Sequence, residues 1–240
     1  MARSHHSFKL RKSRHYFSVF AVFVVAILIA LVIIGETGRV PMGTILSGLG
    51  LSLYRLVLAY AISLIIAVII AVSTSGTKFG NSLIPIFDLL QNLPSFALIP
   101  LFVYLFGYTD QMAIIFAATS ILWPILFYMI HALNTARKDW NDAATIFGAT
   151  GWKRLWFYSL PVSFPALVTG SIVGVSVGWE AIIGVEIIGL SSGIGVFLNG
   201  AIGADKQAFA AGLGLLLFSV LLINRLVWMP LLKRTELYGE

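Results

Sequence analysis

Six apolar runs, each close to the length of a membrane span, constrain this chain more than any other feature. About 20 apolar residues carry a helix across the hydrocarbon of a bilayer. Runs near that length occupy Phe17–Ile34, Leu51–Val72, Ile84–Phe106, Met112–Leu133, Phe164–Ile188 and Phe209–Leu232. In hydrocarbon every backbone N–H and C=O needs a partner within the protein, so such runs fold as helices. The expected fold class is an all-α membrane protein with six transmembrane helices. Composition agrees: 59% of the 240 residues are hydrophobic and 11% are charged, against about a quarter charged in soluble domains.

The first run has a basic region before it and no small-residue cleavage site at Gly35-Glu36-Thr37. It is also longer than the core of a signal peptide, so it reads as a retained span. The chain then divides into a basic tail at 1–16, a first helix at 17–34, a core at 44–232 with a polar interruption at 134–161, and a second tail at 233–240.

The net charge of +6 does not point to nucleic acid, because the basic residues sit in short loops and tails. Six spans place both termini on one side. With the N-terminus cytoplasmic, the inner segments hold Arg3, Lys9, Arg11, Lys12, Arg14, Lys78, Arg137, Lys138, Lys153, Arg154, Arg225, Lys233 and Arg234, and the outer side keeps Arg39, Arg55 and Lys206. Thirteen against three satisfies the positive-inside rule and puts 134–161 in the cytoplasm.

Several enzymatic readings lack their residues. There is no cysteine, so disulfides and thiolate chemistry are excluded. No H-E-x-x-H helix and no G-x-x-x-x-G-K-[ST] loop occurs, so neither a zinc protease nor an ATPase is expected in this chain. Gly189-Leu190-Ser191-Ser192-Gly193 fits G-x-S-x-G without the strand–turn–helix setting that a nucleophile needs. No catalytic residue, metal ligand or bound cofactor is expected.

The pathway candidates lie inside the spans. Gln91 and Asn92 precede Pro94, and Pro100 follows in the same run. Proline frees a backbone carbonyl, which hydrocarbon tolerates only where protein or a watery cavity satisfies it. The fifth run carries Trp179, Glu180 and Glu186. A charge at the bilayer centre costs about 2.5–3.5 kcal/mol. Glu180 is deep enough to call for a cavity or a proton, whereas Glu186 lies near the outer end, within reach of water. Ala59, Ser63, Ala67, Ala71 and Ser75 in the second run, and Gly170, Gly174 and Gly178 in the fifth, form four-residue ridges of small side chains. Such ridges suit close helix packing within the chain, with a subunit interface or a pathway lining as the other readings.

The polar interruption predicts two short helices. Trp140, Ala143, Ala144 and Phe147 share one side of a helix over Arg137–Phe147, and Asp142 sits near its start, where the helix dipole favours an acid. Gly148 suits the break, Thr150 caps a second helix over Gly151–Ser159, and Pro161 stops it before the fifth span. Docking to a protein partner and lying on lipid headgroups through Trp152, Trp156 and Tyr158 both fit this pattern.

Asp142-Ala143-Ala144, then Gly148, then Leu160-Pro161 resembles the "EAA" signature of the inner-membrane permease subunits of ABC importers. Asp142 stands where that pattern has glutamate and Tyr158 where it has isoleucine. Pro94 to Leu101 is similar to the P-x-x-A-x-x-P-L of the same permeases. Trp179, Glu186 and Gly193-Ile194-Gly195 resemble the nitrate, sulfonate, taurine and bicarbonate branch. The likeness covers about Thr44 to Leu232. It implies a MetI-like type I importer permease core with cytoplasmic coupling helices between spans four and five. It also implies a pore made with a second copy of the chain, a pair of ATP-binding subunits that hold ATP and Mg, and an extracytoplasmic binding protein that delivers the solute. Asp142, Ala143, Ala144, Gly148, Leu160 and Pro161 would carry the ATPase contact. The expected protein is a multi-pass permease of the inner (cell) membrane. Glu180 and Glu186 have the wrong sign for an anionic cargo, and an ion-coupled transporter or channel built on them stands as the alternative.

Overall fold

The structure, a computed structural model, describes residues 41–74, 85, 86, 89, 90 and 94–235. The run at 17–34, the basic tail before it, Gln91 and Asn92 lie outside the described residues. Every regular element among the described residues is helical. In chain order these are α1 (Met42–Thr74), α2 (Ile99–Phe106, entered through a 3-10 turn at Ser95–Leu98), α3 (Asp110–Thr135), α4 (Lys138–Ile146), α5 (Gly151–Ile188), α6 (Ile194–Ala201) and α7 (Lys206–Thr235). Four of them, α1, α3, α5 and α7, are long and apolar enough to cross a membrane.

The core sits around α3, which lies between α1 and α5. Just over half of its apolar stretch is buried, 56% against 17% for α7. Both small-residue ridges close on α3. Ala59, Ser63, Ala67 and Ala71 are all buried, and Ser63 Oγ donates to Ala118 O at 2.7 Å. From the other side, a Cβ at Gly170 would stand 2.9 Å from Ile125 Cα, and one at Gly174 would stand 3.0 Å from Ile121 O. These contacts set α1 parallel to α3 and α5 antiparallel to it. The ridges therefore do the work of packing within the chain, because small side chains let the backbones approach. Gly170→Leu is expected to lower stability by about 1–3 kcal/mol through overpacking, read as an earlier unfolding transition in detergent.

Four features depart from the sequence pattern. First, α1 begins at Met42 rather than near Leu51. Residues 42–50 look like a loop because of Gly43, Gly48 and Gly50, yet they are helical. Gly48 is needed there: its Cβ position lies 3.1 Å from the backbone of Gly193. Second, a helix, α6, lies in the stretch between the fifth and sixth predicted runs, where Gly189, Ser191, Ser192 and Gly193 read as a loop. Third, Pro161 does not stop the second cytoplasmic helix. Gly151 to Ile188 is one continuous helix, with a wide turn at Leu155–Ser159 in which Leu160 N–H donates to Leu155 O. A turn of that width carries the chain past a proline, which has no N–H and crowds the carbonyl four residues back. Fourth, the third predicted run is not one regular helix at Pro94: Pro85, Ile86, Leu89 and Leu90 before it are helical, and the apolar helix Ser95–Phe106 follows it. Pro94 stands extended just before it at φ −60° and ψ 110°.

At 38 residues, α5 is about 57 Å long, well beyond about 30 Å of hydrocarbon. Its antiparallel register on α3, which ends at Thr135, leaves residues 151–159 projecting past that end. Against this projection folds α4.

Candidate functional site

At the opposite end of the bundle, where α3 begins and α5 finishes, lies a buried ionic cluster built on Arg55. Its side chain is 1% exposed. Nε and Nη2 donate to Asp110 Oδ1 at 3.0 and 2.6 Å. Nη1 donates to Glu186 Oε1 at 2.5 Å and to Ser192 O at 2.8 Å. Nη2 also donates to Ser192 Oγ at 2.7 Å. Glu186 is completed by Ser52 Oγ, which donates to Oε1 at 2.7 Å, and by Gly195 N–H, which donates to Oε2 at 2.8 Å. Ser52 Oγ in turn accepts from Ile194 N–H at 2.9 Å. The first N–H groups of α6, which have no partner within their own helix, are thus capped by side chains of α1 and α5.

The glycines beside this cluster have a steric reason. Gly193 sits at φ +126°, a region that disfavours any side chain, and a Cβ there would collide with the Glu186 carboxylate. At Gly195 a Cβ would lie 2.8 Å from Ile183 O. The Glu186…Gly193-Ile194-Gly195 pattern is a carboxylate and the space that receives it.

Glu186 therefore does not reach water. It is 1% exposed and fully engaged, whereas Glu180, the deeper acid by sequence position, is exposed on the surface of α5. Trp179 is buried in the core. Pro94 and Pro100 are exposed, Pro100 lying in the first turn of α2. A cavity of about 20 Å³ lies between this segment and α3, lined among others by Ser95, Leu98, Phe102 and Ser120. None of the predicted pathway residues among the described ones lines it.

Arg55, Ser52, Asp110 and Ser192 carry the cluster and were not singled out by sequence, which counted Arg55 among the loop charges. A signal was present. Stepping back four residues from Ala59 reaches Arg55, and stepping forward eight from Gly178 reaches Glu186. Both ridges lie on α3 along its length. Past its first residue nothing separates them, so the two charges meet there with Asp110.

The second region is α4 with the projecting end of α5. It has Arg137 as N-cap, spans Lys138–Ile146, and is followed by Phe147 and by Gly148 at φ +68°. Thr150 is extended at φ −121° and ψ 154°, and a new helix starts at Gly151. No residue of α4 is buried. Asp142 and Gly148 are exposed, and Ala143, Ala144, Leu160 and Pro161 are half-buried. Arg154 hydrogen-bonds Asn141 and fixes the two helices together. Outward stand Trp140, Ile146, Phe147, Trp152, Trp156 and Phe157, with Ile146 82% and Phe147 88% exposed. An apolar face this open, rimmed by charge, is the kind of surface that docks something.

Residues 63–228 match the family described as "Binding-protein-dependent transport system inner membrane component". The chain is 31% identical over 160 residues to the taurine transport system permease protein of Escherichia coli (strain K12), a match covering 66% of this chain and 58% of that one. It is 25% identical over 182 residues to the nitrate import permease protein of Synechococcus elongatus (strain ATCC 33912 / PCC 7942 / FACHB-805), covering 74% and 65%. It is 27% identical over 150 residues to the bicarbonate transport system permease protein of the same strain, covering 61% and 54%. The matches span between 54% and 65% of these relatives' own length.

Proposed function

Because the chain belongs to the binding-protein-dependent transport system inner membrane component family, and so to the multi-pass permeases of ABC importers, we propose that it forms the pore of an ATP-driven importer. The cargo is a small solute of the sulfonate, taurine, nitrate or bicarbonate type. Six spans, with the run at 17–34 as the first, place both termini and α4 in the cytoplasm. A second copy completes the pore, two ATP-binding subunits seat on the two α4 helices, and an extracytoplasmic binding protein delivers the solute.

One observation carries this reading. A short helix without a buried residue presents Asp142, Ala143 and Ala144, and then breaks at Gly148 with Phe147 fully outward. A protein groove suits it better than lipid headgroups. Anionic lipid recruits surface helices through an excess of Lys and Arg. Here Arg137 and Lys138 are matched by Asp139 and Asp142, and Arg137 is already paired with Asp139 at 3.1 Å. The hydrogen bond between Arg154 and Asn141 ties α4 to the foot of α5. Motion imposed on α4 then reaches a membrane helix directly.

The pathway residues fit the same scheme. Pro94, Pro100 and Glu180 are exposed, and with Gln91 and Asn92, which precede Pro94 in the sequence, they are the candidates for the solute's route. Glu186 is buried and engaged by Arg55, so it is not a free acid on the solute's route. Of the two acids on which the ion-coupled alternative would depend, only Glu180 is then left exposed.

The test is reconstitution with the ATP-binding subunit encoded beside this chain. Gly148→Trp has room, because a Cβ at Gly148 meets nothing within 4 Å, and its φ of +68° costs a non-glycine residue about 1–2 kcal/mol of strain confined to this exposed break. Insertion of the spans is expected to be normal, while permease-stimulated ATP hydrolysis falls by about tenfold or more, as for loss of an interface hot spot. Undiminished ATPase binding and uptake in that variant would remove the coupling assignment.

A further inference from the structure

Arg55 has a role that the importer reading alone does not supply. An arginine side chain has five N–H donors, and all five are used: by Asp110, by Glu186, and by the hydroxyl and carbonyl oxygens of Ser192. No donor is left for a solute. The cluster also carries two carboxylates against one guanidinium, a balance that repels an anion. What the five bonds do is join segments far apart in the chain. They link α1, the start of α3, the end of α5 and the Leu190–Gly193 connection, and through Ser52 and Glu186 they extend to the first amides of α6.

We propose, resting on the importer reading, that Arg55 is a positioning residue for transport. It fastens α6 and the connection before it to α1, to the start of α3 and to the end of α5, so that these elements move as one body, and it takes no part in binding cargo. The ridge contacts of Gly170 and Gly174 with α3 already lock the middle of this body. At the end where α5 turns into α6, the close approaches of Gly48, Gly193 and Gly195 bring the backbones together, and the guanidinium bonds them. Its planar fork is suited to the task, because it bridges Asp110, Glu186 and Ser192 at once, whereas a single ammonium does not reach all three.

The chain has no native cysteine, so a fluorophore on an introduced one reports cleanly. Arg55→Lys keeps the charge and tests the fork. In the complete complex in vesicles, it is expected to keep its ATPase subunits and to hydrolyse ATP within about twofold of the parent, while exchange of the α6 amides rises by about tenfold. Uptake of taurine, nitrate and bicarbonate, each offered as a labelled probe, is expected to fall in molecules moved per ATP with KM unchanged. A fluorophore on Asn199→Cys, which is exposed on α6, should show the matching gain in mobility. Three results overturn the proposal: α6 exchange and mobility equal to the parent's, a raised KM at normal turnover (a cargo contact), or hydrolysis and uptake falling together with the folded fraction (a stability role only). The parent complex separates the two levels. If it neither binds the ATPase nor moves any of the three solutes, the importer reading fails, and the α6 measurements still decide whether Arg55 is the clasp.

Discussion

Glu186→Ala is expected to destabilise the folded chain by about 3–5 kcal/mol, the cost typical of removing one partner from a buried ion pair. Arg55 would remain 1% exposed with only the half-solvated Asp110 to balance it, and Ser52 and Gly195 N–H would lose their acceptor. The contrast that makes this specific is Asp110→Asn. Asp110 has a side chain 59% exposed. Its removal leaves Arg55 and Glu186 as a neutral pair, so the cost should stay within about 1 kcal/mol, as for exposed ion pairs. Replacing both charges, as Arg55→Met with Glu186→Leu, removes the uncompensated charge and should recover much of the single-variant loss. Chemical unfolding in detergent measures all three. Equal losses for Glu186→Ala and Asp110→Asn would mean that the buried pair is not what holds this end of the bundle.

That asymmetry also shows what the sequence made legible. The long helices are plain because hydrocarbon demands a continuous apolar stretch: the fourth run, Met112–Leu133, sits within α3, Asp110–Thr135. The break at Gly148 is plain because its backbone requires the positive φ that glycine supplies. The start of α1 and the whole of α6 are hidden, because Gly48, Gly193 and Gly195 read locally as loop formers. Their purpose is close approach to groups elsewhere in the chain. The α6 cap comes from Ser52 and Glu186, 142 and 9 residues away, so no local capping signature announces it. Pro161 misleads for a related reason. Proline predicts an end, and a single wide turn at Leu155–Ser159 absorbs it instead.

The charges are not legible from each span alone. Position along the fifth run makes Glu180 the deeper acid, but depth along an axis does not say which face a side chain takes. Continuing the four-residue ridge does say so, since Gly170, Gly174, Gly178, Ile182 and Glu186 share one face and Glu180 does not. The same continuation puts Arg55 on the buried face of α1. A buried charge in a membrane helix requires a partner, and the two ridges name it.

The largest functional effect is expected at the other end of the bundle. Ile146→Ala combined with Phe147→Ala should leave stability within about 0.5 kcal/mol, as for most surface substitutions. Their side chains are 82% and 88% exposed and contribute almost nothing to the core. If α4 seats in a groove of an ATP-binding subunit, the same pair becomes the apolar anchor of that contact. Truncating one such anchor typically costs at least about 2 kcal/mol, a loss of about 30-fold in affinity. Titrating the purified ATPase against the permease in nanodiscs reads the loss directly, with Gln207→Ala, exposed at the start of α7, as a remote control. Lipid anchoring predicts a different outcome. The double variant would then bind the ATPase as tightly as the parent, while Trp152→Ala and Trp156→Ala would change the depth at which the foot of α5 meets the headgroups. Because α4 has no basic excess to hold it on an anionic surface, the first outcome is the one its charges favour, and a normal titration would return α4 to the membrane.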